Sequence, residues 1–155
     1  MTDISLQQDI IAELKSFLQN HGIMMLWKQE FSELSVYRQE LPLKDEEDDK
    51  MQCNYILVMI GDQDADEEQW DTEIHFSICI EDRDEDRSGD INVLYLMNEI
   101  YNHFIQKGIV GKDGKMEKKA HKRLNTQALF PYYEGDLITH WKLPLPKEVG
   151  LEELI

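Results

Sequence analysis

Apolar side chains first recur at helical spacing. Ile10, Ile11, Leu14, Phe17 and Leu18 share one face of a helix that Asp3 is placed to cap and Gly22 to stop. The next apolar stretch, "IMMLWKQEF", fits a short strand or a further helical turn equally well. "ELSVYRQELPL" reads as a strand ended by Pro42.

The pattern then changes period. "CNYILVMI" is apolar enough to be buried on both faces of a sheet. In "WDTEIHFSICI", Trp70, Thr72, Ile74, Phe76, Ile78 and Ile80 alternate with Asp71, Glu73, His75, Ser77 and Cys79, which describes a strand with one inward and one polar face. The short gap between these runs, "GDQDADEEQ", predicts an antiparallel hairpin with an exposed acidic tip.

A second helix follows, with Asp90 as its cap, Ile91, Leu94, Met97, Ile100, Tyr101, Phe104 and Ile105 as its apolar face, and Gly108 as its end. "GKDGK" reads as a loop, and "KMEKKAHKRLNTQAL" as an edge strand whose lysines discourage unwanted pairing. A turn at Gly135 leads into a last strand, with Leu137, Thr139, Trp141 and Leu143 facing opposite to Ile138, His140 and Lys142. The pattern predicts one α+β domain over 1–155: a mostly antiparallel or mixed sheet of 4–6 strands, with two main helices on one face.

Composition sharpens this picture mainly through charge. The formal net charge is −16, but it is unevenly spread. Residues 44–90 hold 18 acidic and 4 basic side chains, whereas 107–123 hold seven basic residues against Asp113 and Glu117. A local excess of five positive charges on so acidic a body is a poor footprint for phosphate backbones, so sequence-specific nucleic-acid binding is not expected. No apolar run is long enough to span a membrane, and no basic start leads into an apolar block, so neither a span nor a cleaved leader is expected. Cys53 and Cys79 form no C-x-x-C pair and read as reduced, buried thiols.

Candidate chemistry is sparse. Asp62, Asp64, Asp66 and Glu73 stand at positions 1, 3, 5 and 12 of a calcium-binding loop, but its sixth position, which needs glycine, holds Glu67. An acidic hairpin tip accounts for the same residues. His21, His75, His103, His121 and His140 lack metal-ligand spacing, and neither a nucleophile turn nor a glycine-rich phosphate loop is present. Neither catalysis nor a cofactor is expected.

One combination is more specific. A helix, a hairpin ending in an alternating strand, the acidic loop "EDRDEDRSGD", the helix "INVLYLMNEIYNHFIQKGIV" and a closing "PYYEGDLITHWKLPLP" come in this order. It resembles the tail-terminator and tail-completion proteins of long-tailed bacteriophages and prophages, over roughly residues 52–146. Asp84, Gly89, Asp90, Pro131, Tyr133, Gly135, Trp141 and Pro144 carry the resemblance. The acidic stretch 44–50 and the basic stretch 111–119 depart from the family's pattern. The resemblance implies a virion subunit of a ring, usually six-fold, that ends tail-tube growth and docks to the head connector. Its partners would be copies of itself, the tube protein and the connector protein.

A ring of this kind uses unlike patches on neighbouring copies. The expected interaction surface comprises acidic Asp64, Asp66, Glu67, Asp82, Asp84 and Asp86, basic Lys115, Lys119 and Arg123, and the aromatic corner Tyr132–Tyr133. The alternative is an acidic inhibitor, either a DNA mimic or an immunity-type protein, whose carboxylates along 44–90 would fill the cationic groove of a nucleic-acid enzyme.

Overall fold

The computed structural model describes residues 1–21, 34–43, 54–83, 85–127 and 130–146. Gly22 as a stop signal, the "IMMLWKQEF" stretch, the acidic 44–50 connection, Cys53 and Asp84 lie outside them. In chain order the elements are α1 (Asp3–His21), β1 (Ser35–Arg38), β2 (Tyr55–Ala65), β3 (Gln69–Glu81), α2 (Gly89–Lys107), β4 (Ile109–Val110), β5 (Gly114–Leu124) and β6 (Tyr132–Pro144). The expected α+β class and one-sided placement of the helices describe the molecule.

The strands form one mixed, curled sheet in the order β1-β2-β3-β6-β5-β4. Among the described strands only β1 and β2 run parallel. The β2–β3 hairpin, the β3–β6 pairing along thirteen residues of each strand, and the β6–β5 pairing are antiparallel. Register places Ile56, Ile78 and Gly135 in one row across the inner face, and Val58, Phe76 and Leu137 in the next. α1 packs against β1, β2 and β4, strands from both edges, while α2 lies on β3, β5 and β6. Leu6, Ile10, Leu14, Val93, Leu96, Met97, Ile100 and Phe104 descend from the helices to meet those rows. Burying each such side chain contributes roughly 1.5–3 kcal/mol.

Local details correct several expectations. Thr2, rather than Asp3, caps α1. The Ser5 N–H donates to Thr2 Oγ1 (3.1 Å) while the Thr2 N–H donates to Ser5 Oγ (2.9 Å), a reciprocal box that satisfies two helix-end donors. Asp90 stands in the first turn of α2, not at its cap. Ser88 occupies that position, and its hydroxyl is engaged by Asp86 Oδ1 (2.8 Å) instead of capping the helix. The buried face of α2 runs through Gly89, Val93, Leu96, Met97, Ile100 and Phe104, leaving Ile91 and Leu94 half-buried.

Gly135 is not a turn residue. It lies within β6, where a Cβ would stand 2.7 Å from Val93 Cγ1, so its missing side chain lets α2 approach the sheet. The 111–119 stretch is a loop only through residue 113; from Gly114 it is strand. Gly108 ends α2 as expected, with φ +82° and its N–H donating to Phe104 O (3.1 Å).

Candidate functional site

The acidic tip is tighter than the sequence suggests. β2 continues to Ala65 and β3 begins at Gln69, so only residues 66–68 turn. Asp66 makes this possible. Its Oδ1 accepts the N–H groups of Glu68 (2.7 Å) and Gln69 (2.8 Å), and its own N–H donates to Gln69 O (3.0 Å). Those two backbone donors hold the Asp66 carboxyl below the ordinary range. Asp64, Asp66 and Glu67 are all exposed. Trp70, which alternation places inward, has its side chain beyond the cover of the helices and is 38% exposed at the base of the tip.

The second acidic loop divides. Asp82 is 3% exposed: its carboxylate accepts from Asn92 Nδ2 (3.1 Å) and its N–H donates to Pro131 O (2.8 Å). It belongs to the join between this loop and the start of β6, not to an open surface. Asp86 is exposed and holds Ser88. Asp84 lies outside the described residues.

The aromatic corner also divides. Tyr132 and Tyr133 are both half-buried and, being adjacent in β6, point to opposite faces. Tyr133 packs against the core and lies on Gly89 at the start of α2. Burial, and then the charge of Asp82, push its phenol pKa up. Phe130, 43% exposed, offers its ring to the Arg87 guanidinium at 5.1 Å.

Lys115, Lys119 and Arg123 are exposed along β5, together with Lys118 and Lys122. Lys122 Nζ donates to Asn98 Oδ1 (2.6 Å), and Arg123 approaches Asp136 at 3.8 Å. Between this strand and the acidic hairpin runs β6, whose Lys142 stands 3.6 Å from Asp71 on β3 and 3.2 Å from Glu117 on β5. Burial works to lower the Lys142 pKa, but its bond to Glu117 and the charge of Asp71 outweigh that and raise it. His140 Nδ1 adds a contact to Asp71 at 3.5 Å.

Among the described residues no ion pair joins residues 44–90 to residues 107–123. Lys142, from neither segment, occupies the seam. The opposite charges therefore remain on separate strands without neutralising each other.

Three of the described histidines, His75, His103 and His140, each meet one carboxylate. His75 meets Glu73 at 3.1 Å and His103 meets Glu13 at 2.8 Å. The would-be calcium loop is extended hairpin on both sides of its turn, and no group of three His, Cys, Asp or Glu side chains is poised for a metal among the described residues. No described helix is long and apolar enough to cross a membrane.

What this arrangement offers is opposite charge on two separate parts of one sheet. Sequence reasoning located both charges; it missed the Lys142 seam and the exposure of Trp70. A lysine two positions from the end of an alternating strand gave the only signal for the seam. No family model matches the chain, and no curated protein is similar enough in sequence to stand as a relative.

Proposed function

We propose that this chain is a ring-forming structural subunit of a long-tailed bacteriophage or prophage tail. It stands at the tube's head-proximal end, stops tube polymerisation and docks to the head connector. Its location is the virion tail, reached from the host cytoplasm during assembly.

The observation that carries the reading is the unneutralised separation of charge across one sheet, with the acidic hairpin on β2 and β3, the basic strand β5 and β6 between them. A subunit with unlike surfaces on its two sides supports head-to-tail association, which closes into rings when the rotation allows. The order of elements is also that of the resemblance, with α2 following the acidic loop and the Tyr132–Pro144 strand closing onto the sheet.

Sedimentation of the 18.3 kDa chain tests it. The expected result is a concentration-dependent oligomer several times the monomer mass, weakened as salt rises. Purified tail-tube protein should capture it at tube ends. A monomer at high concentration and low salt that also ignores tube ends would overturn the reading.

One observation favours a second reading. The hairpin from Asp62 to Asp71 carries six carboxylates and no lysine or arginine, a shape that also suits the cationic groove of a nucleic-acid enzyme. Capture of a basic nuclease, with no self-association, would select the inhibitor instead.

A further inference from the structure

β5 is paired with β6 along one side, but on the other β4 reaches only Lys115 and Gly114. Among the described residues no strand lies beside 117–124 on that side. A register shift between Met116 and Ala120 bulges the strand, and Tyr101 Oη fastens the bulge by donating to Lys118 O (2.5 Å). Beyond the bulge, no described strand pairs with the N–H and C=O groups of that edge.

The same condition holds across the sheet. β1 accompanies β2 only as far as Arg38 and Val58. Gln39 Oε1 then takes the Ile60 N–H (2.6 Å) in place of a strand, and past it residues 61–65 have β3 as their only strand neighbour among the described residues. Among the described residues, one sheet thus has two edge segments without a strand partner, on opposite sides.

Their charges differ in sign. β5 carries Lys115, Lys118, Lys119, Lys122 and Arg123 against Glu117 alone. Residues 61–71 carry Asp62, Asp64, Asp66, Glu67, Glu68 and Asp71 with no cation. Two β5 edges brought together would set lysine against lysine, which is repulsive. A β5 edge beside a β2 edge would set lysine against carboxylate. Exposed Trp70, at the base of the hairpin, adds an apolar plate for lysine stems to lie on.

We infer that the open edge of β5 in one copy receives the open edge of β2 and the acidic hairpin tip of a second copy, so that the sheet continues from subunit to subunit. The inference rests on the ring reading above and names the surfaces that would build the ring. The contact is heterologous: each copy uses one edge to receive and the other to be received. Asp66 keeps the inserted tip rigid, and the Tyr101 bond keeps the receiving edge in register.

Two full-length variants test the pairing. In one, Lys118→Glu and Lys119→Glu make the receiving edge acidic; in the other, Asp64→Lys and Glu67→Lys make the tip basic. All four side chains are exposed, and Asp66, which holds the turn, is left alone. Each variant alone should associate about a hundredfold more weakly than the natural chain in sedimentation at low salt. An equimolar mixture of the two should recover assembly, with the variants alternating. If the variants singly assemble like the natural chain, or the mixture fails to recover, this pairing is overturned while the ring survives through other surfaces. A natural chain that never associates would overturn both.

Discussion

Trp141 donates its indole N–H to Thr139 Oγ1 at 2.9 Å, and Thr139 in turn donates to the carbonyl of Ile74 at 2.7 Å. All of this is buried beneath α2, where the Trp141 ring meets Phe104 edge-on at 5.7 Å. Thr139→Val keeps the shape but leaves the buried Trp141 N–H without its acceptor and takes one donor from the Ile74 carbonyl. The expected cost is about 1–3 kcal/mol, seen as a fall in melting temperature of about 2–10 °C.

A Cβ on Gly89 would stand 2.3 Å from Tyr133 Cδ2, inside the ring's own contact distance. Gly89→Ala is therefore expected to destabilise by about 1–3 kcal/mol through overpacking, even though alanine suits a helix better by up to about 1 kcal/mol. In a Tyr133→Ala background the clash is gone, and the same substitution should become neutral or mildly stabilising. Chemical denaturation of the four proteins in this cycle measures the coupling; simple additivity would show that the contact is not what excludes a side chain there.

Glu13 on α1 joins the two helices, accepting from His103 Nε2 (2.8 Å) and pairing with Lys107 Nζ (3.3 Å). Burial acts to raise its pKa, but the hydrogen bonds and charges of His103 and Lys107 outweigh it and hold the carboxyl below 4.5. A depressed folded-state pKa gives stabilisation that is complete above the unfolded value and lost as pH falls through the folded one. Glu73 acts in the same direction: against burial, His75 and the Asp62 N–H lower its pKa. Melting curves from about pH 6 to about pH 3 should show stability falling on the acid side. Glu13→Gln should cost about 0.5–1 kcal/mol at neutral pH, with a shallower loss on acidification.

Long elements with a clean period were legible in the sequence. The inward rows of β3 and β6 follow from alternation, since a one-residue slip would turn their apolar side chains to solvent. β2, expected to be buried on both faces, instead buries Ile56 and Val58 and leaves Leu57 and Met59 half-buried. β4, at two residues, is too short to show any period. The face of α2 was legible at Met97, Ile100 and Phe104 but was placed too far toward Ile91 and Leu94. Apolar residues surround much of that helix, and Gly89 and Gly135 admit the closest approach on the side of Val93 and Leu96. Gly135 looked like punctuation, but its lack of a side chain serves packing. Within the candidate surface, charge could be counted along the chain, but Asp82 is withdrawn by Asn92 and Pro131, partners remote in sequence or reached only through folding.

The glycines at 89 and 135 have a mechanical consequence. Each leaves a notch, one filled by a Tyr133 ring from the sheet and the other by a Val93 methyl from the helix. A helix locked by a peg and a socket facing in opposite directions cannot creep along the strands beneath it without driving side chains into backbone.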